Sequence, residues 1–186
     1  MKSNSHRGTL RHSSKFARFS IMTLCLAVGI GTFYCESVYA ERTVTVRVKI
    51  KSWRTTGHIL PAPDEEGHVM AIGQREGEVD FDGKETAKYE STTMLDGWMG
   101  KKGIYKGYTK YTFKDGSAIF FSWTAEGRRN KEGLPTQHGS GTLQKGTGRF
   151  EGIRGMAVFS AIQLKPTSED PNRTSITEAL ITYTLH

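Results

Sequence analysis

The alternation of apolar and polar residues that begins at position 44 predicts a half-buried β-strand, because successive side chains of a strand point to opposite faces. The apolar face consists of Val44, Val46, Val48 and Ile50, and the polar face of Thr45, Arg47 and Lys49. Residues 52–67 lose this period and contain Pro61, Pro63 and an acidic run. They predict a long loop or an excursion at the mouth of a barrel.

Three Asp-Gly dipeptides divide the middle of the chain, at positions 82–83, 96–97 and 115–116. Asp-Gly suits the positive φ angles of tight hairpin turns, so each dipeptide predicts a turn between antiparallel strands. The strands predicted around these turns span residues 69–81, 84–94, 103–114 and 117–126.

The later part of the chain is rich in glycine, with six glycines between residues 139 and 164. Glycine at this density predicts turns, bulges and close approaches of the backbone. The elements predicted here are a polar loop at 127–140 and strands at 141–144, 156–164 and 174–185. No segment has a helical period over ten or more residues. The sequence therefore predicts an all-β fold, a single eight-stranded antiparallel up-and-down β-barrel, with a β-sandwich as the alternative.

Residues 1–40 have the three parts of a secretory signal peptide. Basic residues precede a mostly apolar run from Ile21 to Cys35, and the small residues Val38 and Ala40 occupy the two positions that signal peptidase recognises. Cleavage after Ala40 predicts a secreted or periplasmic barrel of residues 41–186. The apolar run is shorter than the roughly 20 residues that span a bilayer, which argues against a stable membrane anchor. Both cysteines lie in this segment, so the mature chain is expected to be free of disulfides.

The net charge of +7 is largely a property of this segment. Residues 1–40 hold five of the 26 Lys and Arg residues and one of the 19 Asp and Glu residues, so residues 41–186 carry 21 basic and 18 acidic side chains, a net charge of +3. Charges of both signs are interspersed. The sequence therefore gives little support to nucleic-acid binding through a basic surface.

The glycine-rich turn is the most specific motif of the chain, Gly146-Thr-Gly148-Arg-Phe150-Glu-Gly152-Ile-Arg-Gly155. With the hairpin before it and the Thr-rich last strand after it, this turn resembles the allene oxide cyclase and dirigent β-barrel superfamily. The resemblance implies a compact eight-stranded barrel, often oligomeric, with an apolar pocket at one mouth. It also implies either shape-guided cyclisation or coupling of a reactive lipid or phenolic intermediate, or membership among secreted bacterial relatives without an assigned activity.

The first strand departs from the cyclase pattern. Allene oxide cyclases are thought to use a glutamate on this strand, whereas the polar positions here are Arg47 and Lys49. The resemblance thus leaves open whether the chain is an enzyme.

Alternating positions on the late strands provide the candidate pocket residues. Aromatic side chains share strand faces with alanines, which leaves space between rings as well as suiting a packed core. The candidate ligand-binding residues are Phe121, Trp123, Phe159 and Tyr183. Glu178 and Glu126 are the candidate catalytic residues, because an inward-facing carboxylate among apolar groups would have a raised pKa and act as a general acid or base. An outward-facing one would be a solvated surface charge.

Other site chemistries find little support in the sequence. Tyr105, Tyr108 and Tyr111 alternate between strand faces and form no continuous platform for nucleic acid. The histidines outside the signal segment lack ligand spacing, and the glycine turn lacks the Gly-Lys-Ser/Thr of a phosphate loop. No cofactor or metal is expected.

Three functions follow from these observations. The leading hypothesis is a secreted barrel that binds a small, mostly apolar molecule in its interior or mouth. The alternatives are an isomerase or cyclase that acts on a reactive intermediate in the same pocket, and a non-catalytic barrel that is filled by its own side chains and functions through its outer face or by forming homo-oligomers. An open interior with one or two polar groups favours the first two, and a packed interior favours the third.

Overall fold

A computed structural model describes residues 42–185, which form one closed barrel of eight antiparallel strands in sequence order. The strands are β1 (Val44–Pro61), β2 (His68–Phe81), β3 (Glu85–Trp98), β4 (Gly103–Phe113), β5 (Ala118–Arg129), β6 (Pro135–Thr147), β7 (Arg154–Gln163) and β8 (Ser175–Thr184). Strand β8 pairs with β1 and closes the sheet. The predicted all-β, eight-stranded antiparallel barrel is confirmed. The predicted signal peptide lies outside the described residues.

The first correction concerns the predicted loop at residues 52–67. Strand β1 continues to Pro61, and only residues 62–67 connect it to β2. The pairing register shifts by one between Arg54 and Thr56, which leaves Thr55 as an extra residue in a β-bulge. Because a bulge exchanges the inward and outward faces, the period-two pattern is interrupted although the strand is not.

The second correction concerns the predicted turn at Asp96-Gly97. Both residues lie within β3 and pair with β2 and β4. A Cβ atom on Gly97 would lie 2.4 Å from the Cα atom of Gly103, so this glycine permits close approach of two strands. The chain turns at residues 99–102 instead, where Gly100 has a φ angle of +71°.

The third correction concerns the predicted loop at residues 127–140. Strand β6 begins at Pro135, and only residues 130–134 form the connection from β5. Gly139 makes this part of the chain resemble a loop in sequence. In the barrel, its missing side chain allows contact with β5, since a Cβ atom there would lie 2.3 Å from the carbonyl oxygen of Thr124.

The remaining two Asp-Gly turns are confirmed. Asp82 and Gly83 both have positive φ angles, 56° and 68°, as a type I′ hairpin requires. Gly116 has a φ angle of +82° in the turn between β4 and β5. These turns and the glycine-rich turn between β6 and β7 lie at one end of the barrel, which we call the closed end.

The closed end is filled by apolar side chains. Val48, Val79 and Ile181 are buried, with at most 1% of their surface exposed. The glycine-rich turn contains a short 3₁₀ helix, Gly148–Phe150, that brings Phe150 against the ring of Phe113 at a centroid distance of 4.7 Å. This end is therefore a packed hydrophobic core.

Within residues 42–185 no helix is long and apolar enough to cross a membrane. The same range contains no group of three or more His, Cys, Asp and Glu side chains placed to hold a metal ion.

Candidate functional site: the open end of the barrel

A cavity of about 480 Å³ occupies the other end of the barrel, which we call the mouth. The mouth is formed by the connections at residues 62–67, 99–102, 130–134 and 164–174. The inward-facing side chains of all eight strands contribute to its wall, because each strand alternates between interior and exterior. Its volume is in the range of small-molecule sites, about 300–1,000 Å³.

The apolar wall of the cavity centres on Trp123. Its ring lies edge-to-face with Phe159, with centroids 5.7 Å apart and an interplanar angle of 88°. The ring also covers Gly107 on the neighbouring strand β4, where a Cβ atom would lie 2.4 Å from the indole carbon Cζ2. Gly107 thus allows the indole to lie flat against the wall.

A chain of hydrogen bonds fixes the Trp123 indole. Its Nε1 group donates to the hydroxyl oxygen of Thr109 at 2.9 Å, and Thr109 donates to the hydroxyl oxygen of Ser91 at 2.9 Å. Ser91 in turn donates to the carbonyl oxygen of Tyr108 at 3.1 Å. Each polar group in this sequence of contacts has a partner, so the wall is rigid and pre-formed.

The polar wall centres on Arg75, whose side chain points inward from β2. Its Nη2 atom donates to the carbonyl oxygens of Arg173 at 2.8 Å and Ser52 at 3.1 Å, and to the hydroxyl oxygen of Ser175 at 2.7 Å. All of these acceptors are neutral. Burial lowers the pKa of Arg75, and the positive charges of Arg173 and Arg54 lower it further. The guanidinium nevertheless remains charged at neutral pH.

Positive charge dominates the cavity lining. The cationic lining residues are Arg54, Arg75, Arg128, Arg129, Arg173, Lys101 and Lys102. Within residues 42–185, no Asp or Glu side chain is among those that line the cavity. The cavity therefore combines an aromatic wall with a cationic one.

Three of the four candidate ligand-binding residues line this cavity, namely Phe121, Trp123 and Phe159. The fourth, Tyr183, lies toward the closed end, where its half-buried side chain packs against the apolar core. It shares the inward face of its strand, but its position along the barrel axis separates it from the cavity.

The two candidate catalytic glutamates lie on the outer face of the barrel. Glu178 is exposed, on the face opposite to the buried Ala179. In the register of the sheet it lies beside Lys49 of β1 and Ser160 of β7. Glu126 is 64% exposed and forms an ion pair with Arg128 at 3.0 Å. Because β8 and β5 keep the alternation that buries Ala179 and Ala125, both carboxylates point away from the cavity.

Arg75 and Arg173 are the site residues that sequence reasoning missed. Arg75 lies between Gln74 and Glu76 in a polar stretch that carries no sign of burial, and Arg173 lies in a polar loop. The period-two pattern of β2 places Arg75 on the same face as Val79 and Phe81. This pattern is the feature of the sequence that indicates an inward-facing Arg75.

The rim of the mouth contains a histidine held between two carboxylates. The ring of His68 is stacked on Trp98 at 4.5 Å, with its Nδ1 atom 2.7 Å from Asp64 and its Nε2 atom 2.7 Å from Asp96. The Trp98 indole donates to Glu65 at 3.1 Å. These contacts connect the loop after β1 to the end of β3.

This rim contact is expected to depend on pH. Hydrogen bonds to Asp96 and Asp64 raise the pKa of His68 above its ordinary value of 6.5, and the hydrogen bond from His68 lowers the pKa of Asp64 below its ordinary value of 3.8. The contact is therefore strongest between these two ordinary values. It weakens as the pH rises through the folded pKa of His68, and again as the pH falls through that of Asp64.

An NMR titration of the imidazole measures this effect. We expect a midpoint for His68 above 6.5 in the native protein. In an Asp96→Asn variant the midpoint should move down, because the strongest acceptor has lost its charge. An unchanged midpoint in that variant would show that Asp96 does not set the pKa.

No family model matches the chain, and no curated protein matches it. The pterocarpan synthase dirigent protein GePTS1 is similar in structure, with 15% identity and a TM-score of 0.47 over 78% of this chain and 92% of that chain. A conserved protein of unknown function from Rhodopseudomonas palustris has 9% identity and a TM-score of 0.49 over 76% of this chain and 97% of that chain.

Proposed function

We propose that this barrel binds a small, mostly apolar molecule in the cavity at its mouth. The observation that supports the proposal is the open, pre-formed cavity of about 480 Å³ with a fixed aromatic wall. A barrel filled by its own side chains would be packed along its whole length. Here only the closed end is packed, and the remaining space combines an aromatic wall with a cationic one. Small-molecule sites likewise pair an apolar lining with polar groups that fix the orientation of the ligand.

Binding is favoured over catalysis by the position of the carboxylates. An inward-facing Glu178 or Glu126 would favour the cyclase alternative, but both side chains lie on the outer face of the barrel. Tyr111, which does line the cavity, has a pKa raised by burial, so its hydroxyl stays protonated at neutral pH. We therefore retain ligand binding as the function.

A neutral fluorescent probe tests this proposal. N-phenyl-1-naphthylamine carries no charge and fluoresces in apolar surroundings. Its titration therefore measures apolar binding in the cavity without a contribution from charge. We expect saturable binding of one probe per chain. Ala161→Phe should weaken the affinity by about tenfold or more, because Ala161 lines the cavity and the added ring occupies the space.

Val158→Phe is the matched control. Val158 lies on the same strand and is 51% exposed on the outer face, so the added ring enters solvent and the probe affinity should be unchanged. The thermal melting of both variants shows whether each is folded. Equal probe binding by the two variants, or the absence of probe binding by the native protein, would contradict the proposal.

A further inference from the structure

The polar wall of the cavity holds buried positive charge that no carboxylate of the wall neutralises. Arg75 donates only to neutral acceptors, namely the three described above and the hydroxyl oxygen of Ser52, which accepts from Nε at 3.3 Å and from Nη2 at 3.2 Å. Among the described residues, no hydrogen bond engages its Nη1 atom. A buried cation is costly unless a counter-charge or a full set of hydrogen bonds compensates it, so this site is suited to an anionic partner.

Arg173 provides a second donor beside Arg75. Its Nε atom is buried and has no hydrogen-bond partner within residues 42–185. Its backbone adopts a φ angle of +51°, an uncommon conformation for a residue with a side chain. The carbonyl oxygen of Arg173 accepts the hydrogen bond from Arg75 at 2.8 Å, which holds the two residues together. An orphaned buried donor and a costly backbone conformation at one residue are typical of a binding site.

The candidate for an internal counter-charge is Asp170, whose negative charge only partly offsets the lowering of the Arg75 pKa by burial. Its carboxylate is engaged elsewhere. It accepts hydrogen bonds from the backbone amides of Thr174 at 2.6 Å and Asn172 at 3.1 Å, and so shapes the loop between β7 and β8. It is not among the residues that line the cavity. The positive charge in the cavity is therefore left for a ligand.

We propose that the ligand is an amphiphilic carboxylate, an assignment that rests on the binding function proposed above. Its carboxylate group is bound by Arg75 and Arg173, and its apolar body lies against Trp123 and Phe159. Guanidinium groups match the planar carboxylate with two parallel donors, and such charge-assisted hydrogen bonds are about twice as strong as neutral ones. The hydroxyl of Thr93, a buried cavity-lining group with no partner among the described residues, supplies a further polar contact.

Displacement of N-phenyl-1-naphthylamine by matched ten-carbon compounds tests this assignment. Decanoate, decan-1-ol, decylamine and decyl phosphate share one apolar chain and differ in the polar group. We expect decanoate to bind at least about tenfold more tightly than decan-1-ol, as a charge-assisted hydrogen bond implies, and decylamine to bind most weakly.

The variant Arg173→Gln tests the contribution of the Arg173 charge to binding while keeping the backbone contact of this residue. The variant removes the half-buried guanidinium but keeps the backbone carbonyl that accepts from Arg75, so the loop contact is retained. We expect decanoate binding to weaken about tenfold while decan-1-ol binding stays the same. Arg47→Gln makes the same change of charge on the exposed outer face of β1 and should alter neither affinity.

The outcomes distinguish the two proposals. Equal binding of decanoate and decan-1-ol, or tighter binding of decyl phosphate than of decanoate, would overturn the carboxylate assignment and leave the apolar binding function standing. Failure of every compound and of the fluorescent probe to bind would overturn the binding function itself. A selective loss of decanoate binding in Arg173→Gln, with Arg47→Gln unchanged, supports both.

Discussion

Replacement of Ile181 by alanine is expected to destabilise the barrel by about 2–5 kcal/mol, the range for truncating a fully buried aliphatic side chain. Ile181 is 1% exposed and lies in the closed-end core. Its removal leaves a cavity that the neighbouring strands cannot close, since their positions are set by the barrel's hydrogen bonds. Urea denaturation, with the midpoint shifted and the m-value unchanged, measures the loss.

Leu180→Ala is the control for this experiment. Leu180 precedes Ile181 on β8, is of the same volume and is 46% exposed on the outer face. We expect its truncation to change the free energy of unfolding by about 0.5 kcal/mol or less. Equal losses at the two positions would mean that the assignment of inward and outward faces on β8 is wrong.

Gly146→Ala is expected to disrupt the closed end, at a cost of roughly 1–3 kcal/mol or more. A Cβ atom at this position would lie 2.0 Å from the carbonyl oxygen of Phe150. The clash is with backbone, so no rotation of a side chain relieves it. The turn must open, and Phe150 must then leave its contact with Phe113. Thermal unfolding together with near-UV circular dichroism reports both effects.

Gly57→Ala is the matched control within another strand. Its closest neighbours would be atoms of the flexible Arg54 side chain at 3.3 Å, which can move aside. The alanine also reduces the conformational freedom of the unfolded chain, so the variant should be close to neutral in stability. If Gly146→Ala were as stable as Gly57→Ala, the tight turn around Phe150 would not be required for the fold.

The two halves of the barrel interior have different physical tasks. At the closed end, aromatic and aliphatic side chains fill the space and the 3₁₀ turn seals it. At the mouth, the glycine at position 107 and the alanines at 157 and 161 keep the interior open around Trp123. The packed half supplies the stability that allows the other half to carry an unfilled cavity and buried charge.

The errors of the sequence analysis share one cause. The sequence predicts loops or turns at residues 52–61, at Asp96-Gly97 and at residues 135–140, whereas all three segments belong to strands. In each case glycine, proline or polar residues stand where a strand lines the mouth, contains a bulge or approaches its neighbour closely. Such residues are also typical of loops, and only the partner strand distinguishes the two.

The sequence by itself determined the all-β class, the number of strands and which residues share a face of each late strand, because the period-two pattern and the two Asp-Gly turns depend on local geometry. It also identified Phe121, Trp123 and Phe159 as candidate ligand-binding residues, but only the structure shows that they face inward. Only the tertiary structure decided how far along the barrel axis each side chain lies, which separates Tyr183 from the cavity and brings Arg75 to Arg173. These placements depend on contacts between residues that lie far apart in the chain, about a hundred positions for Arg75 and Arg173. Local sequence patterns do not predict such contacts.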